Sequence, residues 1–190
     1  MLRSLVLLVS VLLLPLAASA QDAGLPASGA EATARLAASP RHGEWVMIPA
    51  GAADSVRAWV VYPERSTRAP VVLVVHEIFG MSNWIRSVAD QLAEDGFIAI
   101  APDLLTGMNV PEGPEGANPD SARAVIGKLD QADVQRRLDF AARYGMALPA
   151  ALPKYGVVGF CWGGSRSGSR AGFWARSRRS TPAERCWRKS

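Results

Sequence analysis

Apolar residues along this chain follow two rhythms, and the rhythms alternate. Val71-Val72-Leu73-Val74-Val75 is a continuous apolar run, the pattern of a strand covered on both faces. From about Asn83 to Glu94, Ile85, Val88, Ala89 and Leu92 fall on one helical face. Ser82 is suited to cap the start of that helix and Gly96 to stop it. Phe97 to Ala101 is strand-like again. A second helical pattern, from about Ser121 to Tyr144, carries Val125, Leu129, Val134, Leu138 and Ala141. Gly127 and the Asp130–Asp133 region can divide it in two. Gly156 to Phe160 forms the last strand. Upstream, Trp45 to Ile48 and Val56 to Tyr62 are β-rich, and Pro49, Gly51 and Asp54 separate them as in an antiparallel hairpin. Strand, helix, strand, helix, strand predicts an α/β domain with a largely parallel sheet. Pro63 to Pro70 reads as a polar connection, and the Gly-, Pro- and Asn-dense stretch from Pro102 to Asp120 as a long loop over the strand ends. No internal repeat is visible.

Both ends of the chain depart from this alternation. Arg3, the apolar run Leu5 to Leu14 and the small residues Ala18-Ser19-Ala20 form a secretory signal pattern, with cleavage expected before Gln21. The expected domain order is therefore a signal peptide over 1–20, a flexible linker over 21–43, a folded domain over 44–165 and a tail over 166–190. The mature chain is expected to be exported, periplasmic or secreted, with no transmembrane segment. The net charge of +4 is unevenly spread. From Arg166 onward there are seven Arg and one Lys against Glu184 alone, whereas Met1 to Ser165 carries a net charge of −3. The basic character belongs to the tail, and export argues against nucleic acid as its partner.

Candidate chemistry centres on Gly159-Phe160-Cys161-Trp162-Gly163, which fits G-x-nucleophile-x-G, with Gly164 adding a further glycine. In a nucleophile elbow the reactive residue is strained between strand and helix, and the flanking glycines remove side chains that would collide. The following helix aims backbone N–H groups at the site, which favours a thiolate and a developing oxyanion. Cys161 and Cys186 could pair in an oxidising compartment, but the turn motif favours a free thiol at Cys161. His76 precedes Glu77 at the end of a strand. Successive side chains there point to opposite faces, so His76 is expected to be a packed, hydrogen-bonded histidine rather than a base facing Cys161.

Three segments, "VVLVVHEIFG" (Val71 to Gly80), "GFIAIAPDLLTG" (Gly96 to Gly107) and "GVVGFCWGGS" (Gly156 to Ser165), resemble the dienelactone hydrolase family of the α/β-hydrolase fold. The resemblance runs from about Glu44 to Ser165. It implies that Cys161 is the nucleophile and that Glu77 contacts the resting thiol and helps form the thiolate. It implies further that the backbone N–H groups of Ile78 and Trp162 form the oxyanion hole. It also implies a small-molecule ester or lactone substrate, acyl transfer, and no metal or other cofactor; the oligomeric state stays open. The fold class expected is thus an incomplete α/β-hydrolase fold that ends just after the elbow.

In this fold the triad acid and histidine follow the nucleophile in chain order. After Cys161 there is no His or Asp, and Glu184 is the one acidic side chain. Hydrolysis by this chain is therefore expected to be impaired. The strand before Cys161 is expected to be left as an apolar edge. Two readings of the tail stay open: a change of reading frame after about Ser165, leaving a segment without order, or a basic segment that binds an anionic surface in a non-catalytic exported protein.

Overall fold

The computed structural model describes residues 28–51 and 53–167. The expected signal peptide, the tail beyond 167 and Cys186 lie outside the described residues. The elements run α1 (Gly29–Ala38), β1 (Gly43–Pro49), β2 (Ser55–Val61), β3 (Ala69–Val75), α2 (Asn83–Glu94) and β4 (Ile98–Pro102). There follow β5 (Glu112–Gly113), β6 (Gly116–Ala117), α3 (Pro119–Ile126), α4 (Gln131–Ala147), β7 (Ala151–Gly159) and α5 (Trp162–Ser167).

Five strands form one sheet in the order β1-β2-β4-β3-β7. β3 is parallel to β4 and to β7, while β1–β2 and β2–β4 are antiparallel. The continuous apolar run of β3 has the cause its sequence suggests. Val71, Leu73 and Val75 point into a core with Val134, Leu138, Ala141 and Ala142 of α4. Val72 and Val74 point the other way, against Ile85, Val88, Ala89 and Leu92 of α2. β4 divides likewise, Ile98 and Ile100 toward one layer and Ala99 and Ala101 toward the other. This is the mixed α/β architecture, with flanking helices on both faces, that the alternation predicts.

The helix ends follow local chemistry. Ser82 caps α2 by accepting the Ile85 N–H at 3.3 Å. The long helical pattern is two helices, because the Asp130 carboxylate accepts the N–H groups of Ala132 and Asp133 and starts α4 afresh. Within the stretch read as a loop, β5 and β6 form a two-stranded hairpin of their own.

Two edges matter. β7 lies at one side of the sheet with most of its residues only partly buried, so it is the edge among the described strands. At the other edge, Arg57 lies over the Trp45 ring at 4.0 Å and Arg86 over Trp59 at 4.1 Å. That cation–aromatic stack covers the outer hairpin.

One expectation is corrected. Residues 29–38, read mainly as a flexible linker in which Glu31 to Ala38 could form a helical turn or two, are a full helix docked on α2. The helix has a single fully buried apolar side chain, Ala32, so its periodicity is faint. Polar anchors hold it instead. Arg41 grips Asp90 with two bonds, at 2.6 and 3.0 Å, and the Ser39 hydroxyl donates to the same carboxylate at 2.5 Å. The Asn83 amide donates to Thr33 Oγ1 at 2.9 Å. Asp90 is almost wholly buried, so this pair is costly to break from one side. Arg41→Ala is expected to lower stability by about 3 kcal/mol in urea unfolding. The Arg41→Ala/Asp90→Ala double variant should recover part of that loss, because no buried charge is left unpaired.

Candidate active site

Parallel register assembles the site. Val75 of β3 pairs with Gly159 of β7, so Glu77 and Cys161 each stand two residues beyond the last paired position on adjacent strands. Both therefore lie at the carboxyl-end rim, where open α/β sheets form their clefts. Cys161 is a free, exposed thiol with φ 51°, in the left-handed region. A non-glycine residue there is strained, and such strain persists only where the surroundings enforce it.

What enforces it is close backbone packing. A methyl group on Gly163 would lie 2.5 Å from the carbonyl oxygens of both Val75 and His76. A methyl on Gly159 would collide with the Gly163 carbonyl and reach 2.9 Å from the Gly164 nitrogen. The Gly163 N–H donates to the Phe160 carbonyl at 2.8 Å and the Gly164 N–H to that of Cys161 at 3.0 Å. The chain thus turns from β7 into α5 within two residues. The glycines are needed because strand, turn and helix touch backbone to backbone.

Ile78 follows Glu77 in the loop off β3, and Trp162 opens α5. Both side chains pack against the small cluster of Leu105, Ala122 and Ile126. Among the described residues, no acceptor is found for the backbone N–H of Ile78 or of Trp162.

Glu77 differs from the contact that the resemblance implies. Its carboxylate accepts the Phe79 N–H at 2.6 Å and is also held by Ser82. Among the described residues, no hydrogen bond joins it to Cys161. Half-buried, the carboxylate takes the nearest donors, which belong to its own loop. Burial pushes its pKa up from 4.5, and the Phe79 and Ser82 bonds partly oppose that.

His76 is fully buried. The Leu104 N–H donates to its Nε2 at 3.2 Å, so that nitrogen carries no proton. Nδ1 therefore carries it and donates to the Glu77 carbonyl at 2.8 Å. The ring stacks on Trp162, with centroids 5.9 Å apart and planes 13° from parallel. Burial holds the His76 pKa below 6.5, which agrees with the neutral tautomer that the hydrogen bonds require. Asp103, at the end of β4, is a neighbouring carboxyl whose pKa burial pushes up. Its place directly after a strand on the same rim, inside the segment Gly96 to Gly107, is the sequence signal for it. His42 lies at the opposite rim: β2 runs antiparallel to β4, with Val61 opposite Ala99, and His42 accepts the Tyr62 N–H there through its carbonyl.

Comparisons with known proteins show which family the chain resembles and which fold it shares. The family model described as the dienelactone hydrolase family matches residues 56–172. That match starts later than Glu44 and ends a few residues beyond Ser165. A Synechocystis protein named "Putative carboxymethylenebutenolidase" is 33% identical over 113 residues, covering 57% of this chain and 46% of the relative. This chain thus spans about half the length of such relatives. Among solved structures, a dienelactone hydrolase-like promiscuous phosphotriesterase from metagenomic libraries is 26% identical with a TM-score of 0.55. It covers 67% of this chain and 52% of its own. The "Putative Dienelactone Hydrolase" of Klebsiella pneumoniae is 27% identical with a TM-score of 0.54, covering 65% of this chain and 51% of its own.

Two outcomes follow from this geometry. Gly163→Ala is expected to destabilise the fold by about 3 kcal/mol in denaturant titration, since both obstructing atoms are backbone. Neutral His76 contributes stability above pH 6.5, and that stability is lost as pH falls, because the unfolded chain takes up a proton the folded chain resists. The raised carboxyl pKa values of Glu77 and Asp103 act with opposite sign, favouring the fold at acid pH and losing that effect as pH rises. Comparing the wild type with His76→Asn removes the histidine's titration together with its Coulombic effect on Asp103. Between pH 6.5 and pH 5 the wild type should lose more stability than the variant. The slope of that difference is bounded by about 1.4 kcal/mol per pH unit, the limit for one proton.

Proposed function

The chain belongs to the dienelactone hydrolase family, and from that premise we propose that Cys161 is the nucleophile of an acyl-transfer site for lactones or carboxylic esters. The observation that carries this reading is the strained φ of Cys161, held by glycines at which any added Cβ would strike backbone. Strain of this kind presents a side chain at a rim and has no packing purpose there. In the proposed step the Cys161 thiolate adds to the carbonyl carbon, forming an S–C bond. The carbonyl π pair moves onto oxygen, where the N–H groups of Ile78 and Trp162 receive it. Collapse breaks the acyl C–O bond, the alkoxide leaves with the pair and takes up a proton, and a thioester remains. Water then cleaves the thioester to acid and free thiol. Glu77, next to Cys161 across the β3–β7 pair, is the group proposed to draw the proton from the thiol once its side chain turns from Phe79.

We further propose that the second half of the cycle is slow in this chain. The sequence contains two histidines. Both ring nitrogens of His76 are engaged, and His42 stacks on Tyr62 at the far rim. Neither is available to Cys161 as a general base. A second reading rests on the seven Arg and one Lys from Arg166 onward: a non-catalytic protein, exported by its 1–20 signal pattern, whose tail holds an anionic surface. Removing the residues after 165 would abolish sedimentation with phosphatidylglycerol vesicles under that reading and leave it unchanged otherwise.

Intact-mass spectrometry after mixing with p-nitrophenyl acetate tests the main reading. One acetyl group per chain, mapped to Cys161 and absent in Cys161→Ala, with about one equivalent of p-nitrophenolate released before a slow phase, is expected. Acetyl transfer elsewhere, or none at Cys161, contradicts it.

A further inference from the structure

We infer that His76 is a positioning residue for the oxyanion site: it fixes and polarises the peptide that carries the Ile78 N–H while its ring supports Trp162. The inference rests on the reading of Cys161 as nucleophile and adds a residue to it. The Glu77 carbonyl and the Ile78 N–H belong to one peptide group. A donor on that carbonyl sets the plane of the peptide, and so the direction in which the N–H points. It also draws electrons toward the oxygen and strengthens the N–H as a donor. His76 Nδ1–H makes that bond at 2.8 Å.

The rest of the imidazole is fixed too. Nε2 is pinned by the Leu104 N–H from the end of β4, so the ring is referenced to the sheet and not only to its own loop. Its face lies nearly parallel to the Trp162 ring, on the residue that opens α5. One buried side chain thus touches the loop after β3, the loop after β4 and the start of α5. Those are the segments whose relative placement decides whether two N–H groups converge on one oxygen. A buried ring with both nitrogens occupied costs no reorganisation during reaction.

The test separates transition-state support from thiol reactivity. Acylation of Cys161 by p-nitrophenyl acetate passes through an oxyanion; alkylation by iodoacetamide displaces iodide from a saturated carbon and does not. In His76→Leu the acylation rate is expected to fall roughly 10- to 100-fold, less than the roughly 100- to 1000-fold for removing one oxyanion donor outright, while alkylation stays within about threefold of wild type. Asn can place an N–H where Nδ1 stood, and Gln an acceptor where Nε2 stood. His76→Asn should therefore retain most of the acylation rate and His76→Gln should not. Equal losses in acylation and alkylation, or rescue by Gln and not by Asn, would overturn the inference. A measurement on the unsubstituted chain covers the case in which the variants misfold. NMR should detect a scalar coupling across the hydrogen bond from 15Nδ1 of His76 to the 13C carbonyl of Glu77, and a ring protonated at Nε2 instead would overturn the inference. A wild-type chain that is alkylated but never acylated at Cys161 contradicts the nucleophile reading first, and the positioning role falls with it.

Discussion

At the junction of β7 and α5, three pieces of backbone share a space that admits no Cβ. Gly163 sits against the carbonyls of Val75 and His76, and Gly159 sits against Gly163. Because α5 can approach the end of β3 this closely, the turn between strand and helix is short enough to hold Cys161 at φ 51°. The exposed thiol, a Trp162 N–H with no acceptor among the described residues, and the stacking of Trp162 on His76 all follow from that approach. Relaxing it would let Cys161 return to an ordinary conformation, and the chemistry argued for it would lose its geometry.

The sheet makes the approach possible. β3 has both faces covered, by α4 and α2, so its end is a fixed reference. Among the described strands β7 pairs with β3 alone, and α4 and α5 pack against it. The nucleophile segment thus hangs from an edge strand whose outer side has no partner among the described strands.

Much of this was legible from the residues. β3 announced itself because burial on both faces leaves no polar position in the run. The division of the long helix could be read because Asp130 is a good cap placed after a glycine. The elbow was legible because its glycine spacing states a steric rule. What could not be read depends on contacts distant in sequence. α1 is held by Arg41 on Asp90, 49 residues away, and one buried alanine gives no periodic signal. His76 is the packed, hydrogen-bonded histidine expected, but its partner Leu104 is 28 residues on and carries no mark of that role. Nor could the sequence reveal that the Glu77 carboxylate bonds to Phe79 in its own loop rather than to the thiol.

The account stands or falls on where a reacting oxygen sits relative to this turn. A crystal structure of the full chain with an aryl trifluoromethyl ketone added across the Cys161 sulfur would fix that position. The account predicts a positive φ at Cys161 and the adduct oxygen within hydrogen-bonding distance of the N–H groups of both Ile78 and Trp162. An adduct oxygen facing solvent, or a Cys161 with ordinary negative φ and its sulfur packed among aliphatic side chains, would contradict it.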